Sequence, residues 1–407
     1  MLRDFKFLMS SRFCFTLAVS MQAVMLGWRM YDLTHDPLFL GFVGLAEAVP
    51  ALSLALFAGY IVDRSRPLLT YKFVVFGSFT SALIMLVTQM PALGLSVSHQ
   101  VVGLFCASIM TGVARSFSQP SMYALVPKLV DRENQQKASA WMVMLLQIGR
   151  ISGPAIGGFT FGFLGLTTSE VMVCCLLLAG LAVLYFIKTD PKPAPHVSEK
   201  KSIKHELTVG VKYVFGHAIL FPALSLDMVA VLFGGVTALL PIYAAEILHI
   251  GAKGLGVLRA APALGAAITS TFLTRRDIRH NAGPLLFVAV FGFGVSILIF
   301  SMSHNLWLSL IALALSGAFD SVSMVIRSAA VQLASPENMR GRISAVNSIF
   351  IGSSNELGEF ESGVAARILG VVPSAIFGAV VCLAVTSLVA VMSPTLRKLN
   401  LHEIKQQ

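Results

Sequence analysis

A chain of 407 residues that is 56% hydrophobic and only 12% charged cannot present an ordinary water-facing surface, since soluble domains carry roughly 25% charged residues. The net charge of +10 would suit nucleic acid, but the basic residues fall in short connections between apolar runs and not on a separate polar domain. The five cysteines, Cys14, Cys106, Cys174, Cys175 and Cys382, all lie inside apolar runs, without zinc-type spacing and without a loop to staple.

A membrane-crossing helix needs about 20 mainly apolar residues. In chain order the apolar runs predict twelve spans: 13–33, 37–62, 69–90, 99–126, 136–163, 168–188, 217–246, 252–274, 283–302, 306–333, 343–370 and 374–394. Residues 1–12 are short and charged and run into a full-length span, so no cleavable signal peptide is expected. Span 1 ends at Tyr31-Asp32-Leu33, and Pro37 opens span 2, where its missing N–H has no partner to lose.

Basic residues alternate between the two sets of connections. Arg3, Lys6 and Arg12, then Arg64, Arg66 and Lys72, then Lys128, Arg132 and Lys137 mark one side. Lys188 to Lys212, Arg275, Arg276 and Arg279, Arg340 and Arg342, and Arg397, Lys398 and Lys405 continue it, while the opposite connections hold little besides Lys253. This bias places both termini in the cytoplasm and makes the span count even.

The longest polar stretch, 189–212, carries Pro191, Pro193, Pro195 and a lysine run, a composition that serves as a linker. Within 202–215 a surface helix is expected, because Ile203, Leu207, Val211 and Val214 share a face. The expected organisation is a six-helix bundle over 1–188, a cytoplasmic linker over 189–216, a second six-helix bundle over 217–394 and a cytoplasmic tail over 395–407. A short internal echo supports two halves: residues 129–134 lead into Lys137-Ala138-Ser139-Ala140 as residues 333–338 lead into Arg342-Ile343-Ser344-Ala345.

Gly59-Tyr60-Ile61-Val62-Asp63-Arg64-Ser65-Arg66 follows span 2 and resembles the G-x-x-x-D-R loop of the major facilitator superfamily, with Arg66-Pro67 replacing the usual Gly-Arg-Arg ending. The resemblance implies gating roles for Gly59, Asp63, Arg64 and Arg66; the plain alternative is a basic loop obeying the orientation bias. Gly149-Arg150-Ile151-Ser152-Gly153-Pro154-Ala155-Ile156-Gly157-Gly158 in span 5 resembles the superfamily's export-associated motif. Its small residues, four apart, equally suit close helix packing. The segments 28–37, 112–120, 239–241, 340–347 and 354–363 resemble enterobactin-exporter-like (transmembrane secretion effector) proteins from span 1 onward.

These resemblances imply an all-α membrane protein of the major facilitator fold, about 12 transmembrane helices in two six-helix bundles. They imply proton-coupled export of a siderophore or other secondary metabolite, with multidrug or macrolide export as the alternative. A non-transporting scaffold or lipid-handling protein is the reading from another class. No G-x-x-x-x-G-K-[ST] loop or H-E-x-x-H motif occurs, and Gly254-Leu255-Gly256 is too little for a nucleotide site, so no cofactor, no metal and no enzymatic activity are expected. The expected partners are a small-molecule substrate, protons and the lipid bilayer, without nucleic acid, for a monomer in the inner (plasma) membrane.

Ionisable side chains within spans are costly and are candidates for function. Arg115 and Arg150 fall mid-span on consecutive helices and are expected to bind anionic or oxygen-rich groups, with Trp28, Met25 and Asp320 also lining the site. Asp227 is the first candidate for a coupling proton, with Glu356 and Glu359 next; otherwise Asp227 is a structural partner for a base such as Arg327. Glu47 and Arg259 also lie in spans. Glu359 and Glu361 are alternatively an outer gate. Arg29, Asp32 and Glu246, near span ends, read as structural. Met21, Met25, Trp28, Met30 and Phe117 suit either an adaptable cavity wall or plain packing.

Overall fold

The computed structural model describes residues 3–131, 134–188, 211–273, 281–336 and 339–402. Among them there is no strand. The helices are α1 (Arg3–Thr34), α2 (Pro37–Arg64), α3 (Pro67–Thr88) and α4 (Val97–Leu129). Gln135–Leu184 is one helical run broken by a non-helical Gly165 (φ 80°, ψ 170°). That backbone region is open to glycine, and the two arms, 135–164 and 166–184, are α5 and α6. Then come α7 (Leu220–Gly234), α8 (Gly251–Leu273), α9 (Ala282–Ser301), α10 (Leu306–Ala334), α11 (Arg340–Leu369) and α12 (Val371–Met392), with a terminal turn at Pro394–Arg397.

Among the described residues, ten helices are long and apolar enough to cross a membrane. One of these is the run that Gly165 divides. The 30-residue α11 completes the twelve expected spans; its charges lower its hydropathy. Large apolar side chains such as Phe57, Phe73, Val288, Trp307 and Ile368 are 60–74% exposed. In water such a surface would be a liability, whereas hydrocarbon solvates it.

Two elements differ from expectation. The first helix begins about ten residues before the predicted span, and this draws Arg12 into the bundle at 5% exposure. The expected continuous span 217–246 is discontinuous. α7 stops at Gly234, Gly235 is extended (φ −79°, ψ 93°), and short turns at Thr237–Leu239, Leu240–Ile242 and Tyr243–Ile247 follow, the last a π turn. Pro241 has no N–H to give a helix ladder, and the Ser362 hydroxyl donates 2.9 Å to the Gly235 carbonyl. A freed backbone group at membrane depth is tolerated only with such a replacement.

Two helix starts among the described residues are capped by side chains. Asp36 accepts 3.0 Å from the Leu38 N–H at the start of α2, with Pro37 at the first turn. Asn305 accepts from Trp307 and Leu308 at the start of α10. Residues 211–216 are helical. Val214 is fully buried there but Val211 is exposed, and the Tyr213 hydroxyl donates 2.8 Å to the Ala334 carbonyl at the end of α10. Ile203, Leu207, Arg132, Arg275, Arg276 and Arg279 lie outside the described residues, as do the side chains of Asp63 and Glu356.

Two compact units form. The first holds α1–α6 together with Leu240–Ala260; the second holds residues 211–239 and 261–402. Within the first, Phe5, Met21, Met25, Tyr71, Met85, Leu104 and Leu125 are almost wholly buried. Within the second, Leu226, Leu286, Ile326 and Cys382 sit in one cluster and Val214, Leu220 and Leu224 in another. Lipid is as apolar as leucine, so close packing at small residues holds the helices together. In the second unit a Cβ on Gly265 would stand 1.8 Å from the Ala314 carbonyl oxygen, and one on Gly317 would stand 1.9 Å from that of Pro262.

Candidate functional site

In the first unit three guanidiniums gather. α2 and α4 approach closely because Gly112 lacks a side chain; a Cβ there would lie 2.2 Å from the Glu47 carbonyl oxygen. One turn further along α4, Arg115 donates 2.8 Å to the Glu47 carboxylate, with side chains 50% and 27% exposed. Arg12 reaches from α1 to α4, where it donates to the Ser118 hydroxyl and, at 3.3 Å, to the Gln119 amide oxygen. Its guanidinium also lies 5.4 Å from the Phe15 ring centre. Arg150 on α5 is exposed, has no hydrogen bond or ion pair among the described residues, and feels the like charges of Arg115 and Arg12. Glu47 is paired with Arg115, and neither Arg12 nor Arg150 has a carboxylate on it among the described side chains. The surplus of positive charge attracts anions, and more strongly in a low-dielectric setting.

In the second unit the chemistry is acidic. Asp227 of α7 and Arg327 of α10 form a direct ion pair with side chains only 9% and 5% exposed. Asp320 lies two turns before Arg327 on α10 and Ser323 one turn before it, so the three share a face. Asp227, Asp320 and Ser323 line a cavity of about 10 Å³ walled by Ala230, Val231, Ala289, Val290 and Phe293, room for about one water molecule. The Ser323 oxygen is buried without a hydrogen-bond partner. Asp320 is partly exposed and has no ion pair or hydrogen bond among the described residues. The pairing of Asp227 is the structural alternative raised for it by the sequence. Glu359 and Glu361 are half-buried on α11.

The export-type motif is a packing seam. Cβ atoms on Gly149, Gly153 and Gly157 would lie 2.9 Å from Thr16 Cγ2, 2.4 Å from Ser20 Cβ and 2.9 Å from Met21 Cα, all on α1. On Gly158 the nearest atom would be the Gly256 Cα at 2.5 Å. Pro154 lies inside the same helix. Gly59, in contrast, has open space around it. Arg64 and Arg66 are exposed at the α2–α3 link, where the Ser65 and Thr70 hydroxyls lie 2.7 Å apart and Pro67 opens α3.

Of the expected lining residues, Trp28 packs edge-on to Phe161 with ring centres 6.4 Å apart. Met25 is fully buried, as are Met21 and Met30, so contact between Met25 and a substrate would require the packed helices to part. Near the span ends, Arg29 holds Asp32 at 2.5 Å, Gln89 at 3.1 Å and Gln100 at 2.8 Å. Tyr31 donates to Glu246, and Arg259 donates 3.2 Å to the Ala23 carbonyl. Sequence reasoning missed Glu170 of α6, which is fully buried with neither carboxyl oxygen hydrogen-bonded. It also missed Ser323. Helical spacing from Asp320 was the signal available for Ser323.

Among the described residues, long apolar helices that carry charges sorted into a basic and an acidic cluster define a polytopic membrane transporter rather than an enzyme. The Major Facilitator Superfamily model matches residues 8–359 and 228–405, and the chain belongs to that family. Enterobactin exporter EntS of Shigella dysenteriae serotype 1 (strain Sd197) is 26% identical over 254 residues, and that of Escherichia coli O81 (strain ED1a) is 27% identical over the same length. These matches cover 60% of this chain and 58% of each exporter, so the chain spans less than two thirds of those relatives. A POT family transporter in complex with 5-aminolevulinic acid superposes with a TM-score of 0.77 at 13% identity, covering 97% of both chains. The nucleoside transporter NupG superposes at 0.72 and 12% identity, covering 96% of this chain and all of the other. At such identities these structures speak for the fold.

Proposed function

We propose that the protein is a proton-coupled exporter of an anionic or catechol-like small molecule, a siderophore or related secondary metabolite, in the bacterial inner membrane with both termini cytoplasmic. The observation that carries this reading is Arg150, an exposed guanidinium without a protein partner beside Arg115 in the first unit. A guanidinium that lacks a counter-ion and feels two other cations is repelled by them, and an anionic ligand supplies the missing charge. The likeness to enterobactin exporters is consistent with that ligand class. Asp63, Arg64 and Arg66 act as a cytoplasmic gate in this reading, as the motif resemblance implies. An Asp63→Asn variant made at normal abundance but transporting normally would remove that role.

The test is purified protein in sealed vesicles with an imposed pH gradient and two probes, enterobactin and a macrolide. Uphill movement of enterobactin that stops when the gradient is collapsed supports the proposal. Movement of the macrolide alone favours multidrug export, and movement of neither overturns both.

A further inference from the structure

We infer that Asp320, with the Ser323 hydroxyl beside it, is the proton-binding site of the second unit, and that Asp227 is the fixed counter-ion of Arg327. The inference rests on the proposed proton coupling. A coupling carboxylate must exchange its proton with water and must gain and lose charge within a setting that responds. Asp227 meets neither condition well: it is 6% exposed and its charge is matched by Arg327 at direct contact. A carboxylate held by a buried guanidinium is biased toward staying ionised.

Asp320 has the opposite properties. It keeps partial exposure and has no cation or hydrogen-bond donor on it among the described residues. It opens on the same water-sized void as Asp227. The buried Ser323 oxygen, one turn along the same face, lacks a partner and lines the same void. A protonated Asp320 can donate to that hydroxyl oxygen, and an ionised one can accept from it, so a hydroxyl there serves both states.

The charge arithmetic gives the consequence. With Asp320 ionised, two carboxylates face one guanidinium. With Asp320 protonated, the cluster is neutral. Proton uptake therefore removes competition for Arg327 and tightens the Asp227–Arg327 link between α7 and α10. No other titratable group faces this cluster from α9, whose wall is Ala289, Val290 and Phe293. The described part of α8 beyond residue 260 is uncharged, and it meets α10 through Ser270 and Ser321 at 2.7 Å. Cys382 of α12 lies against the Val290 carbonyl. Glu359 and Glu361 adjoin Ser362 at the level of the α7 break.

The experiment uses the full chain in lipid and reads the infrared carbonyl stretch of protonated carboxyls as a difference between acidic and alkaline buffer. The titrating band is expected to disappear in Asp320→Asn, to shift in Asp320→Glu and Ser323→Ala, and to persist in Asp227→Asn. A band that survives Asp320→Asn, or that vanishes in Asp227→Asn, overturns the assignment. So does a band that sodium removes at fixed pH, which would make the cluster a sodium site. If Asp320→Asn fails to fold, the Asp320→Glu and Ser323→Ala shifts decide: an unmoved band in both overturns the assignment. This readout needs no substrate. If vesicles fail to move enterobactin or macrolide while the band behaves as described, the transport reading fails and the proton site stands.

Discussion

The Asp227–Arg327 pair allows a quantitative test by charge removal. Both side chains are over nine-tenths buried, so removing one partner leaves the other unpaired, at a cost of about 3–5 kcal/mol. A contact pair at an effective dielectric near 20 is worth about 4 kcal/mol, which agrees. Asp320 makes the two deletions unequal. It lies seven residues from Arg327, about 10 Å along the helix, and at that separation one charge acts on another with roughly 1–2 kcal/mol. Asp227→Asn leaves Arg327 with this residual attraction. Arg327→Met leaves two carboxylates with no cation and forfeits it. Arg327→Met is therefore expected to be the less stable by about 1–2 kcal/mol, and the Asp227→Asn/Arg327→Met double variant should recover most of the loss, because a buried pair contributes little over a neutral replacement. Thermal unfolding in detergent, with the wild type alongside, measures all four. A double variant no more stable than the worse single, or the reverse order of the singles, would refute the argument.

Gly153→Leu would drive side-chain atoms into Ser20 and the Leu17 carbonyl and should cost about 1–3 kcal/mol in unfolding, whereas Gly59→Ala, with open space around it, should be neutral or stabilising by up to about 1 kcal/mol. Arg150→Gln should weaken binding of an anionic probe while leaving the melting temperature near wild type, since Arg150 has no described partner to strand; equilibrium binding and unfolding are both read. Arg115→Gln should lower stability as well, by about 0–1 kcal/mol, because it unpairs a part-exposed Glu47. His217, just before α7, accepts from the Ile219 and Leu220 N–H groups through Nδ1, and burial holds its pKa below the ordinary value. Its neutral form is therefore favoured by folding, so its contribution is complete above about pH 6.5 and is lost as pH falls through the lower folded value; a wild-type melting temperature that does not fall more steeply in that window than that of His217→Phe would contradict this.

What could be read from the sequence was set by period and composition. Most of the spans, the Pro37 start and the small-residue seam depend on neighbours along the chain, and they stand close to where they were expected. What could not be read depends on residues far apart. Arg12 looked like one of the cytoplasmic bases, yet its guanidinium is bound by Ser118 and Gln119, 106 and 107 residues away. Glu170 stood near a predicted span start, where a carboxylate should reach water, and the fold closes over it. The break in α7 had local signs, Gly234-Gly235 and then Pro241, but both residue types are common in membrane helices. Only the carbonyl bond from Ser362 marks the break as built in. The pairing of Asp227 was raised by charge alone, and its burial could not be.

The glycine ridge of α5 turns two helices into a single stiff member. With three successive turns seated closely on α1 at Thr16, Ser20 and Met21, neither helix can slide along the other without every tooth lifting at once, as with a toothed rail in its rack. Displacement of one end of α5 is therefore delivered to α1 undiminished. Substitutions on the far face of α1 will alter transport without touching any substrate, and a selection for changed transport will collect them there.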